Sequence, residues 1–331
     1  MGQEVVLAQY GSAGYTQGFK NRLINGDFRI WQQGTNLTYT GGSYTADMWI
    51  IEPRSSQSTT ISQSTDVPAG EGHGFSGKFL ATAGTQQGFH IRTAVELPAA
   101  GNYGEFQPGT TWTLSFWAKS VYTGVAINPN FFLTSNAISN PNSSVAVAGG
   151  SQTIAQTWTK YSWTVTMPSW TADSGSLSAC NNLTIRLLVG AGYQELYITG
   201  AQLEPGTQAT TFDRRPITME QSLAYRYYEY GFASGSGYAA ITAIFDAGAV
   251  NHIHFKSTKR IAPSMSAPSV AGNTFPNSDY SRSVPDLEGG YSRGFRYTTA
   301  NGSGYWNVTT GNGGSTGVAG FAIVWQADAR M

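Results

Sequence analysis

The sequence predicts an all-β protein: an antiparallel β-sandwich, then a short helix, then a second, smaller β-domain. Three observations carry this. Stretches of period-2 alternation recur between Gly, Pro, Asn and Ser clusters, the mark of half-buried strands joined by turns. The composition suits exposed sheets: 13 % of the 331 residues are aromatic, 40 are Gly, and only 11 % are charged. Finally, only one segment has helical character, so the strands are not separated by the regular helices of a βαβ fold.

The elements follow in order. Residues 1–20 hold one short apolar stretch, Val5-Val6-Leu7, between polar and Gly-containing segments. They are expected to be an arm ordered by a partner or a frayed terminus. Strands then begin. In Gly88–Glu96, Phe89, Ile91, Thr93 and Val95 share one face, and His90, Arg92, Ala94 and Glu96 the other. In Thr111–Lys119, Trp112, Leu114, Phe116 and Ala118 lie opposite Thr113, Ser115, Trp117 and Lys119. Tyr161, Trp163, Val165 and Met167 form the apolar face of a third strand. Leu183, Ile185, Leu187 and Val189 form that of a fourth, with Thr184 and Arg186 opposite. One buried and one open face per strand is the pattern of an antiparallel sandwich.

The helix is expected within 216–231. Thr218 and Gln221 have capping-box spacing, Met219, Leu223 and Tyr227 make an apolar stripe, and Gly231 is the stop. Beyond it, Tyr238–Phe245, Val250–Phe255, Gly294–Thr299, Gly304–Thr310 and Gly317–Gln326 read as strands. The expected organisation is an arm at 1–20, a sandwich at 21–215, a linker helix at 216–231 and a β-domain at 232–331.

Composition also excludes. Lys+Arg and Asp+Glu balance at 19 each, without the basic footprint of a duplex-nucleic-acid binder or a polybasic membrane-surface protein. No apolar run approaches a transmembrane helix, so no membrane insertion is expected. The N-terminal residues lack the basic start and apolar block of a secretory signal. A lone cysteine, Cys180, leaves no internal disulfide and no Cys-rich metal site. No Walker, H-E-x-x-H or G-x-S-x-G motif occurs.

Several motifs resemble one family. Asn21-Arg22-Leu23-Ile24-Asn25-Gly26-Asp27-Phe28, followed by Ile30-Trp31-Gln32-Gln33-Gly34-Thr35, is similar to the opening of bacteriophage tail-fibre and virion-fibre proteins. Tyr44-Thr45-Ala46-Asp47-Met48-Trp49 resembles that family's Y-T-A-D-R-W segment, with Met48 in place of Arg. Thr113-Leu114-Ser115-Phe116-Trp117-Ala118-Lys119 resembles a T-L-S-F-W-A-K strand. The domain exit is matched by Gly200-Ala201-Gln202-Leu203-Glu204-Pro205-Gly206 and Thr211-Phe212-Asp213-Arg214-Arg215-Pro216. Glu220–Tyr228 is similar to the helix that follows it. Lys259-Arg260-Ile261-Ala262-Pro263-Ser264-Met265 and Ala327-Asp328-Ala329-Arg330-Met331 resemble C-terminal segments of phage fibres. The resemblance implies a jelly-roll related to carbohydrate-binding modules and a homotrimer on the virion surface. It also implies an N-terminal arm held by a tail or capsid protein, and host surface polysaccharide as the partner. The role implied is non-catalytic attachment. The alternatives are a glycan-cleaving spike, or a decoration fibre without a receptor role.

The residues themselves suggest a site. An aromatic ring on the open side of a sheet stacks on a sugar's CH face, while nearby polar groups fix its hydroxyls. Trp117 stands on the polar face of its strand, and His90, Arg92 and Arg186 on the polar faces of theirs. If those strands share a sheet, the four residues line one open face. Most motif residues have structural readings instead: Asn25-Gly26-Asp27 is a turn, and Arg214 and Arg215 are placed to pair with Asp213 or Glu204. Related modules often hold a structural Ca²⁺ near the first strand and the domain end, where Asp27 and Glu204 are the carboxylates here. Arg29 stands where those modules often have Glu, so no cofactor is expected. His252 and His254, two apart on a strand, face the same way. They are either surface or interface histidines, or one third of a six-imidazole metal site on a threefold axis. For a cleaving spike, Asp47, Glu52, Glu96, Glu105, Asp173 and Glu195 are the free carboxylates.

Overall fold

The computed structural model describes residues 19–54, 58–81, 88–135, 147–148, 150–170, 177–190, 194–235, 251–260, 264–266, 282–283, 294–297 and 321–328. The predicted arm at 1–20 lies almost entirely outside the described residues, as do the predicted strands Tyr238–Phe245 and Gly304–Thr310.

Thirteen strands precede the helix: β1 (Asn36–Tyr39), β2 (Ser43–Tyr44), β3 (Ile50–Pro53), β4 (Thr59–Ser64), β5 (Ser76–Ala81), β6 (Phe89–Glu96), β7 (Thr111–Ser120), β8 (Ala126–Thr134), β9 (Val147–Ala148), β10 (Gln152–Thr153), β11 (Thr159–Thr166), β12 (Asn182–Val189) and β13 (Gln194–Pro205). They form two antiparallel sheets. Sheet I has the order β1-β4-β5-β13-β7-β11, and sheet II the order β10-β8-β12-β6-β3-β2, with β9 on β8. From β5 to β13 the long strands alternate between the sheets, which closes them into a jelly-roll sandwich. The four strands read from alternation are β6, β7, β11 and β12, and their apolar faces turn inward as expected. Phe89, Ile91, Trp112, Leu114, Phe116, Trp163, Ile185 and Leu187 all lie in one core. Trp163 packs on Phe116 at 5.0 Å between ring centroids, and Phe28 stacks on Trp49 at 4.8 Å. Cys180 is buried.

The Asn21–Phe28 segment is fastened across the middle of β13. The Asn21 amide donates to the Ala201 carbonyl, and its Oδ1 accepts from the Leu23 and Leu203 amides. Asn25 adopts φ 58°, a left-handed conformation that asparagine tolerates. Its side chain spans the turn, donating to the Ile30 and Asp47 carbonyls and accepting from the Ile30 amide. At Gly26 a Cβ would collide with the Ala201 carbonyl, so only glycine permits this backbone approach. The register of β13 on β7 shifts between Thr199 and Gln202, and the Ala201 amide within that bulge donates to the Gly26 carbonyl.

The helix, α1 (Ile217–Tyr225), differs from the expected one. Its N-cap is Pro216 with no side-chain cap, so Thr218 and Gln221 make no capping box. Its buried positions are Glu220 and Ala224, whereas Met219 is exposed. The stripe turns because Glu220 is drawn into a buried ion pair with Arg215 at 2.9 Å and accepts the Asn25 amide. Arg215 also donates to the carbonyls of Leu23 and Asn21. Neither predicted partner of Arg215 is used: Glu204 and Asp213 accept other donors. The helix ends well before Gly231 because a strand begins at Tyr228.

That strand, β14 (Tyr228–Gly235), pairs with β19 (Phe321–Asp328), which also pairs with β16 (Ser264–Ser266). A further sheet has the order β15-β18-β17: β15 (Asn251–His254), β18 (Gly294–Tyr297) and β17 (Arg282–Ser283). The residues around β14 lie against sheet II. Arg226 and Tyr227 both donate to Glu96 on β6, at 2.9 and 2.8 Å. Arg260 reaches the same carboxylate at 3.5 Å. Tyr227 packs with Tyr44, Met48, Ile50 and Ala94. Beneath this, Lys259 and Glu229 form a fully buried pair at 2.7 Å.

Removing one partner of a buried ion pair strands the other charge, which costs about 3–5 kcal/mol. Glu220→Ala, which also orphans the Asn25 amide, is expected to lower stability by at least that amount in urea denaturation. Gln221→Ala, at the unused capping position, is expected to change it by less than about 0.5 kcal/mol.

Candidate functional site

The strand faces come out as predicted, but the strands do not share a sheet. Trp117 is on β7 in sheet I, while His90 and Arg92 on β6 and Arg186 on β12 belong to sheet II. Their chain neighbours Phe116, Ala118, Phe89, Ile91, Ile185 and Leu187 all point into the core between the sheets. Trp117 and the three basic residues therefore stand on opposite sides of the sandwich, and the single open face expected from the sequence does not exist.

On sheet I, cross-strand register builds an aromatic row. Trp117 lies between Lys160 of β11 and Thr199 of β13. One residue pair along, Lys119 faces Tyr197, and Tyr197 faces Lys78 of β5. Trp158, just before β11, completes the group at 6.3 Å from Tyr197. The Lys119 ammonium sits 4.8 Å from the Tyr197 ring centroid and 5.6 Å from that of Trp158. Asp66 accepts from both the Trp158 indole (2.9 Å) and Lys119. Burial raises the Asp66 pKa, but the hydrogen bonds from Lys119 and Trp158 outweigh it and hold the carboxyl below its ordinary value. Glu195 pairs with Lys78 at 2.8 Å and accepts the Tyr197 hydroxyl. The Lys119 ammonium, lying over both rings, leaves the half-buried Trp117 indole as the platform on this face. Gly200, at φ 63°, lets its edge close in: a Cβ there would lie 3.5 Å from Trp117 Cδ1 and collide with His73.

Sequence reading missed Trp158, Tyr197 and Asp66. Trp158 falls one residue outside the alternating stretch of β11. Tyr197 sits on β13, whose both faces are buried over most of its length, so its alternation is masked. Asp66 lies in a loop brought over the sheet by the chain path, which has no local signal.

On sheet II the predicted basic residues do meet. Arg92 and Arg186 are directly opposite, as are His90 and Glu52 of β3. Glu52 accepts from Arg92 and is 2.7 Å from His90 Nδ1. Burial raises the Glu52 pKa, but the His90 hydrogen bond and the Arg92 charge overcome it and leave it lowered. Arg92 is buried.

The carboxylates proposed for calcium are occupied by protein groups. Asp27 pairs with Arg29 at 2.7 Å, with Arg214 at 3.6 Å. Glu204 accepts from Gln202 and from the Thr210 amide and hydroxyl. Among the described residues no three His, Cys, Asp or Glu side chains gather for a metal. His252 and His254 lie on β15 opposite Arg296 and Gly294; their side chains fall outside the described residues. Of the carboxylates free for catalysis in the sequence, Asp47 accepts from Gln32, Glu105 from Arg22, and Glu96 from Arg226 and Tyr227. Asp173 lies outside the described residues.

No protein-family model matches this chain, and no curated protein matches it. Among solved structures it is similar to the enzymatically active domain of bacteriophage CBA120 tailspike protein 4, with 14 % identity and a TM-score of 0.37 over 56 % of this chain and 22 % of that one. It is also similar to a xylan-binding domain from Paenibacillus barcinonensis, at 10 % identity and a TM-score of 0.30 over 52 % of this chain and 95 % of that one. A family 22 carbohydrate-binding module of Clostridium thermocellum gives 13 % identity and a TM-score of 0.33, covering 52 % and 98 %. The chain thus spans about a fifth of the tailspike domain. Likenesses at these scores carry no binding residue across.

His73 supplies a pH handle beside the Trp117 platform. Burial, then the adjacent Arg214 charge, lowers its pKa to about 4. Its Nδ1 lies 3.2 Å from an Arg214 nitrogen, which donates to it, an arrangement that needs the neutral imidazole. An unfolded histidine titrates near 6.5, so between about 6.5 and 4 the unfolded chain binds a proton that the folded chain refuses. Stability is expected to fall as pH drops through that window. In His73→Gln, which keeps an acceptor for Arg214, the slope of melting temperature against pH between 6.5 and 4 is expected to be shallower.

Proposed function

We propose that this chain is a subunit of a bacteriophage virion fibre or spike that attaches to the host by non-catalytic binding of surface polysaccharide. The observation that carries the binding part is the aromatic row on the outer face of sheet I, with Trp117 as the platform and Lys160 beside it. A half-buried indole with an ammonium beside it matches the chemistry of a sugar ring: CH groups for stacking and hydroxyls for hydrogen bonds. The phage assignment rests on the fibre-like motifs spread in order from Asn21 to Met331.

The state of the carboxylates favours binding over cleavage. A glycosidase keeps one acid protonated by raising its pKa. Glu52, Asp66, Glu96 and Glu195 are instead all lowered: burial raises each, but a cationic partner and further hydrogen bonds together outweigh it.

The subunit assembles as a homotrimer, held to a tail or capsid protein by residues 1–20. Ile217 and Met219 on α1 and Phe19 beside it expose large apolar side chains, which supports burial of this helix against other copies. Several weak sugar contacts per virion then act together.

Two measurements test this reading. Light scattering after size exclusion is expected to give about three times the 35.4 kDa chain mass; a monomer contradicts the fibre assembly. On immobilised β-glucan, xylan and dextran, Trp117→Ala is expected to weaken retention by about tenfold or more, as loss of a stacking ring does, with the mass unchanged. Equal retention removes Trp117 from the site, and new reducing ends released from the polymer point to a cleaving spike.

A further inference from the structure

The outer face of sheet II holds a positive charge that no described side chain neutralises. Each row of this face can be read from the register. Asn130, Arg186, Arg92 and Ile50 form one row, and Asn128, Leu188, His90 and Glu52 the next. Glu52 is the one carboxylate in these rows, and Arg92 and His90 already share it. Arg186 has no hydrogen bond or ion pair among the described residues, and its Nε is buried without a partner. Its guanidinium lies over the Phe132 ring, 4.4 Å from the centroid. Burial, then the Arg92 charge, depresses its pKa, and the charge of Glu52 offsets this only in part. In the adjoining row, Asn128 Oδ1 is buried with no donor among the described residues.

This arrangement suits one kind of ligand. A half-buried guanidinium without an anion is costly, and stacking on Phe132 fixes its plane, so the fork of N–H donors is set before a ligand arrives. In these rows Arg186 and Arg92 face one carboxylate, Glu52. The unsatisfied Asn128 acceptor beside it calls for a hydroxyl donor. Chloride or sulfate meets the first demand only. A sugar unit bearing a carboxylate meets both.

We propose that Arg186 reads the carboxylate of an acidic sugar on a second binding face of this protein, with Asn128 accepting one of the sugar's hydroxyls. This rests on the reading of the protein as a polysaccharide binder, but it is carried by the sheet opposite Trp117. The covered end of sheet II, where Tyr227 packs on Ala94 and Ile50, bounds the face on one side.

Calorimetric titration of the full-length chain with polygalacturonate, dextran sulfate and dextran tests it, using the wild type, Arg186→Gln, Arg186→Lys and Trp117→Ala. The wild type is expected to bind polygalacturonate, with affinity falling as NaCl rises. Arg186→Gln is expected to lose about tenfold or more, the usual worth of a charge-assisted hydrogen bond. Arg186→Lys, which keeps the stem and charge but not the fork, is expected to lose part of that affinity and guards against a folding failure of the glutamine variant. Trp117→Ala is expected to lose dextran binding but to keep the NaCl-sensitive part of the polygalacturonate affinity, which separates failure of one face from failure of the other. Wild-type affinity for polygalacturonate in both Arg186 variants overturns the proposal, as does no wild-type binding of that polymer. A preference for dextran sulfate that survives Arg186→Gln overturns it too.

Discussion

The ion pair between Arg215 and Glu220, nearly out of water, is where the chain's distant segments are tied together. Glu220 arrives from α1, Arg215 from the extended segment after β13, and between them they engage the backbone of Asn21, Leu23 and Asn25. Through Asn21 and Asn25 the same cluster reaches β13 and the Ile30–Asp47 region. An ion pair of this kind is weak evidence for net stability, since an apolar substitute of similar shape often does as well. Its contribution is directional. It fixes the angle at which α1 leaves the sandwich, which in turn places Arg226 and Tyr227 over Glu96.

That chain of placement explains why the most recognisable sequence segments are architectural. The Asn-Gly-Asp turn, the Thr199–Gln202 bulge, Arg215 at the domain exit and Glu220 all converge on one buried region. The Lys259-Arg260 pair performs the same service one layer further on, where Lys259 neutralises Glu229 and Arg260 returns to Glu96. In a chain with so few charges, several are spent on joints of this kind, which gives Arg186, unpaired among the described residues, its meaning.

The sandwich was legible in the sequence because its strands have one wet and one dry face, so period 2 survives in β6, β7, β11 and β12. β13 was not, because it is buried on both faces. The helix was placed correctly but turned wrongly. Met219 and Leu223 look like its inner stripe until the partners of Glu220 are known, and one of them, the Asn25 amide, lies nearly two hundred residues away. The candidate site failed for a related reason. Alternation tells which residues leave the core on one strand, but not which strands are neighbours. His90, Arg92 and Arg186 came together because β6 and β12 pair; Trp117 was separated because β7 pairs with β13 and β11.

The separation has a consequence for attachment. Two sheets pack about 10 Å apart, and side chains on the two outer faces stand farther apart still. A single sugar unit cannot touch Trp117 and Arg186 of the same subunit, and a stiff polymer chain cannot wrap the sandwich edge to do so. Under the proposed reading the two faces would therefore act on different chains, or on distant parts of one. Stacking on Trp117 is little affected by salt, whereas a carboxylate on Arg186 is screened by it. In an assembly that presents several copies of both faces, the combined strength has a salt-sensitive and a salt-insensitive part. Their proportion distinguishes a subunit that uses both faces from one that uses either alone.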